Sequence, residues 1–259
     1  RALSASNPGS AEAKRDVSVS LEKLGDGAMQ AGDLAAAQSA YAEGLELRRA
    51  LSESNPGSAQ AKRDVSLSLN KLGDAAMQAG DLAGAKSAYA EGLELRRALS
   101  ASNPGSAQAK RDVSLSLERL GDVAVQAGDL EGAKAAYAEG LELRRALSAS
   151  NPGSAEAKRD VSISLERLGD VAVQAGDLAG AKAAYAEGLE LRRALSASNP
   201  GSAQAKRDVI VSLWKLANLT GDKAFWREAL PIVEDMAAKG QLAPVDAPML
   251  DRIRQQAAD

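Results

Sequence analysis

The sequence has no histidine, no cysteine and only seven aromatic side chains among its 259 residues. These absences exclude a Ser-His-Asp triad, a cysteine nucleophile, a Cys/His zinc site and the usual haem ligands. The sequence also lacks a Walker-type phosphate loop, so we expect neither an enzyme nor a protein with a cofactor or a metal. Without cysteine there are no disulfides, which favours a cytoplasmic location.

The chain also lacks an excess of charge of one sign and any long apolar run. Its 32 basic and 35 acidic residues give a net charge of −3, which offers no basic field for the phosphates of a nucleic acid. No apolar run approaches the roughly eighteen residues that a membrane span needs. We therefore expect a soluble chain whose partners are neither nucleic acids nor membranes.

What the chain does have is an internal repeat. Four tyrosines recur every 48 residues, at Tyr41, Tyr89, Tyr137 and Tyr185. The units 97–144 and 145–192 differ at only three positions, and such self-similarity at a fixed period is typical of stacked repeats. The apolar fraction of 45% comes mainly from Ala, Leu and Val, which favours helices over sheets.

Turn residues divide each unit into two predicted helices. In the second unit an Asn-Pro-Gly-Ser turn ends in Ser58, which can cap a helix, and Gly80 with Asp81 supplies a helix stop and a second cap. Residues 59–79 and 82–102 place apolar side chains at steps of three and four, so each unit is predicted to form a helix hairpin. Glycines inside the second helices indicate close helix contact: Gly44, Gly92, Gly140 and Gly188.

These residues carry a family resemblance. The second unit has Leu69-x-x-Leu72-Gly73 in its first helix, Ala85-x-x-x-Tyr89 in its second helix and a proline after it. This pattern resembles the tetratricopeptide repeat (TPR) family, whose usual period is roughly 34 residues. The spacing indicates that each helix is longer by about seven residues, or almost two turns, so the buried faces keep their phase. The resemblance implies an all-α, right-handed superhelical solenoid of antiparallel helix hairpins.

The ends of the chain depart from the regular repeat. The predicted divisions are the tail of an incomplete upstream repeat at 1–9, four hairpins at 10–201, and a divergent fifth repeat with a capping helix at 202–259. We expect Trp214, Phe225 and Trp226 to plug the last hairpin, and an aromatic peptide pocket is the alternative. Pro231 is expected to interrupt the second helix of this repeat or to restrict where it begins. The N-terminal end is expected to present apolar surface, with further repeats or another domain upstream.

In TPR proteins the first helices line a concave groove, and the resemblance transfers its positions to this chain. The transferred partner-binding positions are Glu22, Asp26 and Met29; Asn70, Asp74 and Met77; Glu118, Asp122 and Val125; and Glu166, Asp170 and Val173. The same transfer adds the apolar positions Val19, Leu67, Leu115 and Ile163. The acidic stripe predicts a partner with basic residues, because carboxylates accept hydrogen bonds from Arg and Lys.

A second ladder of charges lies on the lengthened part of the first helices. Its arginines, each followed by Asp, form a possible rim of the groove: Arg15, Arg63, Arg111, Arg159 and Arg207. Two interpretations remain open, namely ion pairs between neighbouring repeats and an anion-binding rim for an acidic partner segment.

The sequence thus predicts a non-enzymatic scaffold that binds a peptide or partner protein along the concave face, as the recognition or regulatory arm of a larger protein. The alternative is a structural spacer or a self-assembling solenoid that stacks head to tail, since near-identical repeats can form contacts that do not close.

Overall fold

The computed structural model describes residues 10–243 and 246–258, so the predicted tail at 1–9 lies outside the described residues. The described part contains eleven α-helices and no strand. The helices are α1 (Ala11–Ala31), α2 (Leu34–Ser54), α3 (Ala59–Gln78), α4 (Leu82–Ser102), α5 (Ala107–Gln126), α6 (Leu130–Ser150), α7 (Ala155–Gln174), α8 (Leu178–Ser198), α9 (Ala203–Thr220), α10 (Lys223–Ala238) and α11 (Ala247–Ala258). The described residues form two compact units that divide between Ala136 and Tyr137.

Local capping explains where the helices begin and end. At the start of α3 the Ser58 hydroxyl oxygen accepts a hydrogen bond from the backbone N–H of Ala61 at 3.1 Å. Gly80, after the end of α3, has a φ of +77°, a left-handed conformation that favours glycine. The Asp81 carboxylate then accepts from the N–H of Gly84 at 2.8 Å and caps α4. Because these contacts are local, the sequence predicts the bounds of α3 and α4 to within one residue.

In the first unit consecutive helices pack as hairpins, α1 with α2 and α3 with α4, and α2 and α4 also pack against the next first helix. Leu45 of α2 joins Val65 and Leu69 of α3 in one buried cluster, which ties neighbouring repeats together. Gly73 of α3 lies directly against the ring of Tyr89, where a Cβ atom would be 2.7 Å from Cδ1 and 2.8 Å from Cζ. The small residue therefore lets the tyrosine fill the space between the helices of one hairpin.

In the second unit α7 and α8 form a hairpin, α8 packs against α9, and α9 packs against α10. Helix α11 packs against α10 and inserts Ile253 into the core, where its side chain is fully buried. The core of this unit also contains Leu213, Trp226 and Met236, so the last hairpin is covered by apolar contacts with α11.

The expectation that Pro231 interrupts a helix is wrong. Helix α10 runs without a break from Lys223 to Ala238 and contains Pro231 in its interior. Trp226, Val233 and Met236 lie on one buried face of the helix on both sides of the proline. Their burial stabilises the helix by more than the lost backbone hydrogen bond costs.

Among the described residues, none of the helices is long and apolar enough to cross a bilayer.

Candidate functional site

The first helix of each repeat presents one face that carries the transferred groove positions. In α1, Val19, Asp26 and Met29 are spaced by seven and three residues, which places them on one side of the helix two to three turns apart. We call the apolar side chains at these positions the first-helix face. Its members in the first unit are Val19, Met29, Leu67, Met77, Leu115 and Val125, and its members in the second unit are Ile163, Val173 and Val211.

The first-helix face exposes apolar side chains to solvent. Within the described residues, six large hydrophobic side chains are exposed, and four of them belong to this face. These four are Val19 at 41%, Leu67 at 46%, Leu115 at 43% and Val173 at 40%. The other two are Leu24 and Leu178, at 65% and 55%. Exposed apolar side chains are common when scattered, but Val19, Leu67 and Leu115 recur at one repeat position, whereas Val173 lies at the position of Met29 and Met77.

Between these apolar positions, aspartates bridge neighbouring first helices of the first unit. The Asp26 carboxylate accepts hydrogen bonds from the Tyr41 hydroxyl at 2.6 Å and from Lys71 Nζ at 2.7 Å. Asp74 accepts from the Tyr89 hydroxyl at 2.6 Å and forms an ion pair with Arg119. Each aspartate therefore joins the tyrosine of its own hairpin to a cation of the next repeat.

The bridge shifts the proton affinity of its members. Burial favours the protonated form of Asp26, but the hydrogen bonds from Lys71 and Tyr41 outweigh it and hold the pKa of this carboxyl below its ordinary value. Burial and the hydrogen bond to Asp26 raise the pKa of the Tyr41 phenol. Burial, together with the negative charge of Asp122, raises the pKa of Tyr89 to about 12. The Asp26 carboxylate stays ionised and the Tyr41 and Tyr89 phenols stay neutral at neutral pH.

The second unit repeats this bridge with an additional carboxylate. Asp170 accepts from the Tyr185 hydroxyl at 2.6 Å and from Lys215 Nζ at 2.5 and 2.7 Å. Lys215 also forms an ion pair with Glu166 at 2.9 Å. Burial opposes the ionisation of Glu166, but the positive charges of Arg192 and Lys215 hold its pKa below the ordinary value.

Sequence reasoning missed a ladder of buried arginines on the second helices. The Arg48 guanidinium of α2 donates to the Ser68 hydroxyl at 2.7 Å and to the Asp64 carbonyl at 3.3 Å, and it forms an ion pair with Glu22. Arg48 lies seven residues after the buried Tyr41, so it continues the apolar stripe of α2. Its position on the apolar stripe was the signal in the sequence that this arginine is buried. The predicted groove residue Glu22 thus neutralises a buried cation of its own hairpin.

The second repeat differs, because Asn70 stands where Glu22 stands in the first. Arg96 donates to the Ser116 hydroxyl at 2.8 Å and to the Asp112 carbonyl at 3.1 Å. With its amide oxygen turned towards the guanidinium, Asn70 accepts from the two terminal nitrogens of Arg96 at 3.0 and 2.5 Å. No carboxylate of the described chain forms an ion pair with Arg96, and burial lowers the pKa of this arginine. Arg96 is therefore a buried cation with neutral partners.

The remaining groove positions are less exposed. Glu118, Asp122 and Val125 of α5 lie at the equivalent positions and are half-buried. Met29 of α1 and Met77 of α3 are also half-buried, and each packs against a cluster that contains the tyrosine of its own repeat. The structure therefore brings the predicted residues onto equivalent helix faces, but most of the charged ones have partners inside the protein.

Three arginines of the predicted rim form ion pairs with aspartates of this protein. Arg63 lies 3.9 Å from Asp112 of the next repeat, Arg159 lies 3.1 Å from Asp208, and Arg207 lies 2.9 Å from Asp246. Arg111 is half-buried at the equivalent position of the third repeat. Arg15 of α1 is exposed, and no carboxylate of the described residues pairs with it; it borders a pocket of about 450 Å³ beside Arg48.

No group of three or more Asp or Glu side chains that could hold a metal ion occurs in the described ranges.

Comparisons with known proteins support the resemblance to TPR repeats in part of the chain and identify the fold. The tetratricopeptide repeat family model matches residues 67–99 and 116–147, while none of the curated proteins matches the chain. BtubC (BKLC) from P. vanneervenii is 18% identical over 94% of this chain and 88% of its own, with a TM-score of 0.64. The apo form of RapI is 11% identical over 90% of this chain and 57% of its own, with a TM-score of 0.62.

A putative kinesin light chain from Podosopora anserina with nearly identical TPR-like repeats is 16% identical, over 86% of this chain and 96% of its own, with a TM-score of 0.54. At these identities the neighbours show the fold alone. The fold is that of TPR-like repeat proteins, all-α with consecutive helices packed as hairpins, and the helix spacing agrees with the 48-residue period. The predicted resemblance to TPR repeats and the predicted fold class are confirmed.

Proposed function

We propose that this protein is a non-enzymatic scaffold that binds a partner protein or peptide along the first-helix face. TPR folds support protein–protein interaction in general, and the surface used here is inferred from this chain. The observation that carries the proposal is the recurrence of Val19, Leu67 and Leu115 as exposed apolar side chains on α1, α3 and α5. Side chains that lie at one repeat position can contact an extended partner at regular intervals.

The apolar area that these side chains expose suits a partner that binds through several weak contacts. Leu67 and Leu115 are about half exposed, so burying the rest of each side chain is worth roughly 1 kcal/mol. Binding also costs several kcal/mol of lost freedom, so at least three or four such contacts must act together. The repeat provides them at equivalent positions of neighbouring helices.

Charged groups beside the apolar side chains would set the register of the partner. Asp26 and Asp74 remain partly exposed next to Lys71 and Arg119, so each bridge can accept one further hydrogen bond. A basic partner side chain fits this position, whereas an acidic one would be repelled by the carboxylate. We therefore retain a partner with basic residues that flank apolar ones.

The test is a comparison of charge substitutions on and off the face. The double variant Leu67→Glu and Leu115→Glu places two carboxylates on the proposed surface, and both side chains are exposed, so the fold should tolerate them. Leu178→Glu, at an exposed leucine that begins α8, is the matched control. Partners captured by wild-type protein should be lost with the double variant and kept with the control. Retention of every partner by the double variant contradicts the proposal.

Self-association is a second candidate, and one side chain favours it. Leu24 of α1 is 65% exposed, whereas Leu72 at the equivalent position of α3 packs against Tyr41 and Ala75. Leu24 therefore presents an apolar contact that another copy could cover. Head-to-tail stacking also needs an open last hairpin, and α11 covers that hairpin with Ile253. Light scattering over a concentration series, with Leu24→Glu as the control, separates a monomer from an assembly.

A further inference from the structure

The first-helix face of the second unit ends in an apolar pocket between α9 and α11. The pocket has a volume of about 370 Å³. It is lined by Val211, Trp214, Lys215, Pro248, Met249 and Arg252. Val211 belongs to the first-helix face, so the pocket lies beside the part of that face that the second unit carries. We call it the Trp214 pocket.

The repeat pattern explains why an aromatic side chain stands there. Trp214 occupies the position of Glu22 and Glu166, whose carboxylates neutralise the buried arginines Arg48 and Arg192. Counted from the helix cap, Arg192 follows Asp177 by fifteen residues, and the residue at the same distance from the cap Asp222 is Ala237. Because this repeat has no buried cation at that place, the carboxylate is unnecessary and an apolar side chain is tolerated.

Only part of the Trp214 side chain is buried in the core. Trp226 is buried, and its ring packs edge to face on Trp214 with 5.0 Å between the centroids. Trp214 itself is half-buried, and it also lines the pocket. The predicted plug of the last hairpin is thus formed by Trp226, while Trp214 joins that plug to a surface pocket.

One cation of the pocket has no acidic partner. The Arg252 guanidinium lies over the Trp214 ring, 4.9 Å from its centroid, and no carboxylate in the described part of the chain pairs with it. A guanidinium that stacks on an indole keeps its in-plane N–H groups for hydrogen bonds, and their geometry matches a carboxylate. Lys215 differs, because Glu166 and Asp170 already bind its ammonium group.

We propose that the Trp214 pocket binds a large apolar side chain of a partner segment that carries a carboxylate on the neighbouring residue. The apolar side chain would contact Trp214, Met249 and Val211, and the carboxylate would bind Arg252. The occupant follows from charge complementarity, since Arg252 is the uncommitted charge at an otherwise apolar site. This inference rests on the proposed function, because it names the partner chemistry at the first-helix face of the second unit.

The experiment uses the two tryptophan indole N–H signals of the 15N-labelled protein, which Trp214→Phe assigns. The probe is a blocked peptide with the core Gly-Ser-Phe-Asp-Ser-Gly, and its controls replace Asp by Asn or Phe by Ala. The Phe-Asp peptide should shift the Trp214 signal in a saturable way and the Trp226 signal less. The Asn peptide should bind roughly tenfold more weakly, as expected for loss of a charge-assisted hydrogen bond.

Arg252→Gln is the decisive variant, because the side chain is exposed and its removal leaves the core intact. This variant should bind the Phe-Asp peptide only as weakly as wild-type protein binds the Asn peptide. Its binding of the Asn peptide should be unchanged. Equal binding of the two peptides by wild-type protein, or no saturable shift of Trp214, overturns the pocket proposal. If the Leu67→Glu and Leu115→Glu variant still loses its partners, the proposed function stands while the pocket assignment fails.

Discussion

Two glycines in α1, two residues apart, should respond to alanine in opposite ways. A Cβ atom on Gly25 would lie 2.6 Å from Cδ1 and 2.8 Å from Cζ of Tyr41, well inside ordinary van der Waals contact. The Tyr41 ring is buried, and its hydroxyl is hydrogen-bonded to Asp26 at 2.6 Å, so the ring is held in place. Gly27 has nothing within 4 Å of its Cβ position.

The expected magnitudes follow from two opposing effects. Alanine is preferred over glycine inside a helix by about 1 kcal/mol, so Gly27→Ala should raise the free energy of unfolding by up to that amount. At Gly25 the same gain is outweighed, because forcing a methyl group into a filled core costs about 1–3 kcal/mol or more. The two variants should therefore differ by roughly 2 kcal/mol or more in the free energy of unfolding.

Urea denaturation followed by circular dichroism measures this difference, because both variants share the same helix and the same denatured chain. Gly73→Ala, where a Cβ would lie 2.7 Å from Cδ1 of Tyr89, repeats the test one unit further along. If Gly25→Ala and Gly27→Ala unfold at the same urea concentration, the contact between glycine and tyrosine is not tight and the packing argument fails.

Three further predictions follow from contacts of the second repeat. Asn70→Glu should stabilise the protein by about 1 kcal/mol, because it gives Arg96 a carboxylate. Asn70→Gln, whose side chain has the same shape as that glutamate but no charge, should give no such gain in urea denaturation. Ser58→Ala should cost about 1 kcal/mol in the same assay, because it removes the cap on the N–H of Ala61, and an unchanged midpoint would contradict that role. The pKa of Tyr89 is raised from 10.0 to about 12, so stability should fall as pH rises through this interval, and the phenolate absorbance should appear above the ordinary value.

The helices and their bounds were predictable because their causes are local. Ser58, Gly80 and Asp81 act within four residues of themselves, and the apolar period shows which face is buried. Pro231 was misjudged because a local rule was applied where buried contacts of Trp226 and Met236 decide the outcome. Propensity is a weak guide wherever tertiary packing opposes it.

The charged residues of the site were harder to interpret, because their partners are distant in sequence. Lys71 binds Asp26 across 45 residues, and Arg48 reaches Ser68 across 20 residues. Identical residue types on an exposed face would give the same sequence pattern, so only the folded structure separates an internal bridge from a free acidic stripe.

Glycine illustrates the same limit. Gly92 indicated close helix contact, yet its Cβ position is 3.5 Å or more from its neighbours, which is ordinary contact. The position where glycine is required is Gly73, against Tyr89. The family motif marks Gly73, but its physical reason becomes visible only when the tyrosine ring is placed beside it.

Site-specific photo-crosslinking can show whether partners bind the first-helix face. A photoreactive phenylalanine analogue is introduced at Leu67, at Leu115 or at the control position Leu178, all of which are exposed. We expect covalent adducts with the same partner from Leu67 and Leu115 and none from Leu178. Adducts from Leu178 alone, or from all three positions equally, would contradict this expectation.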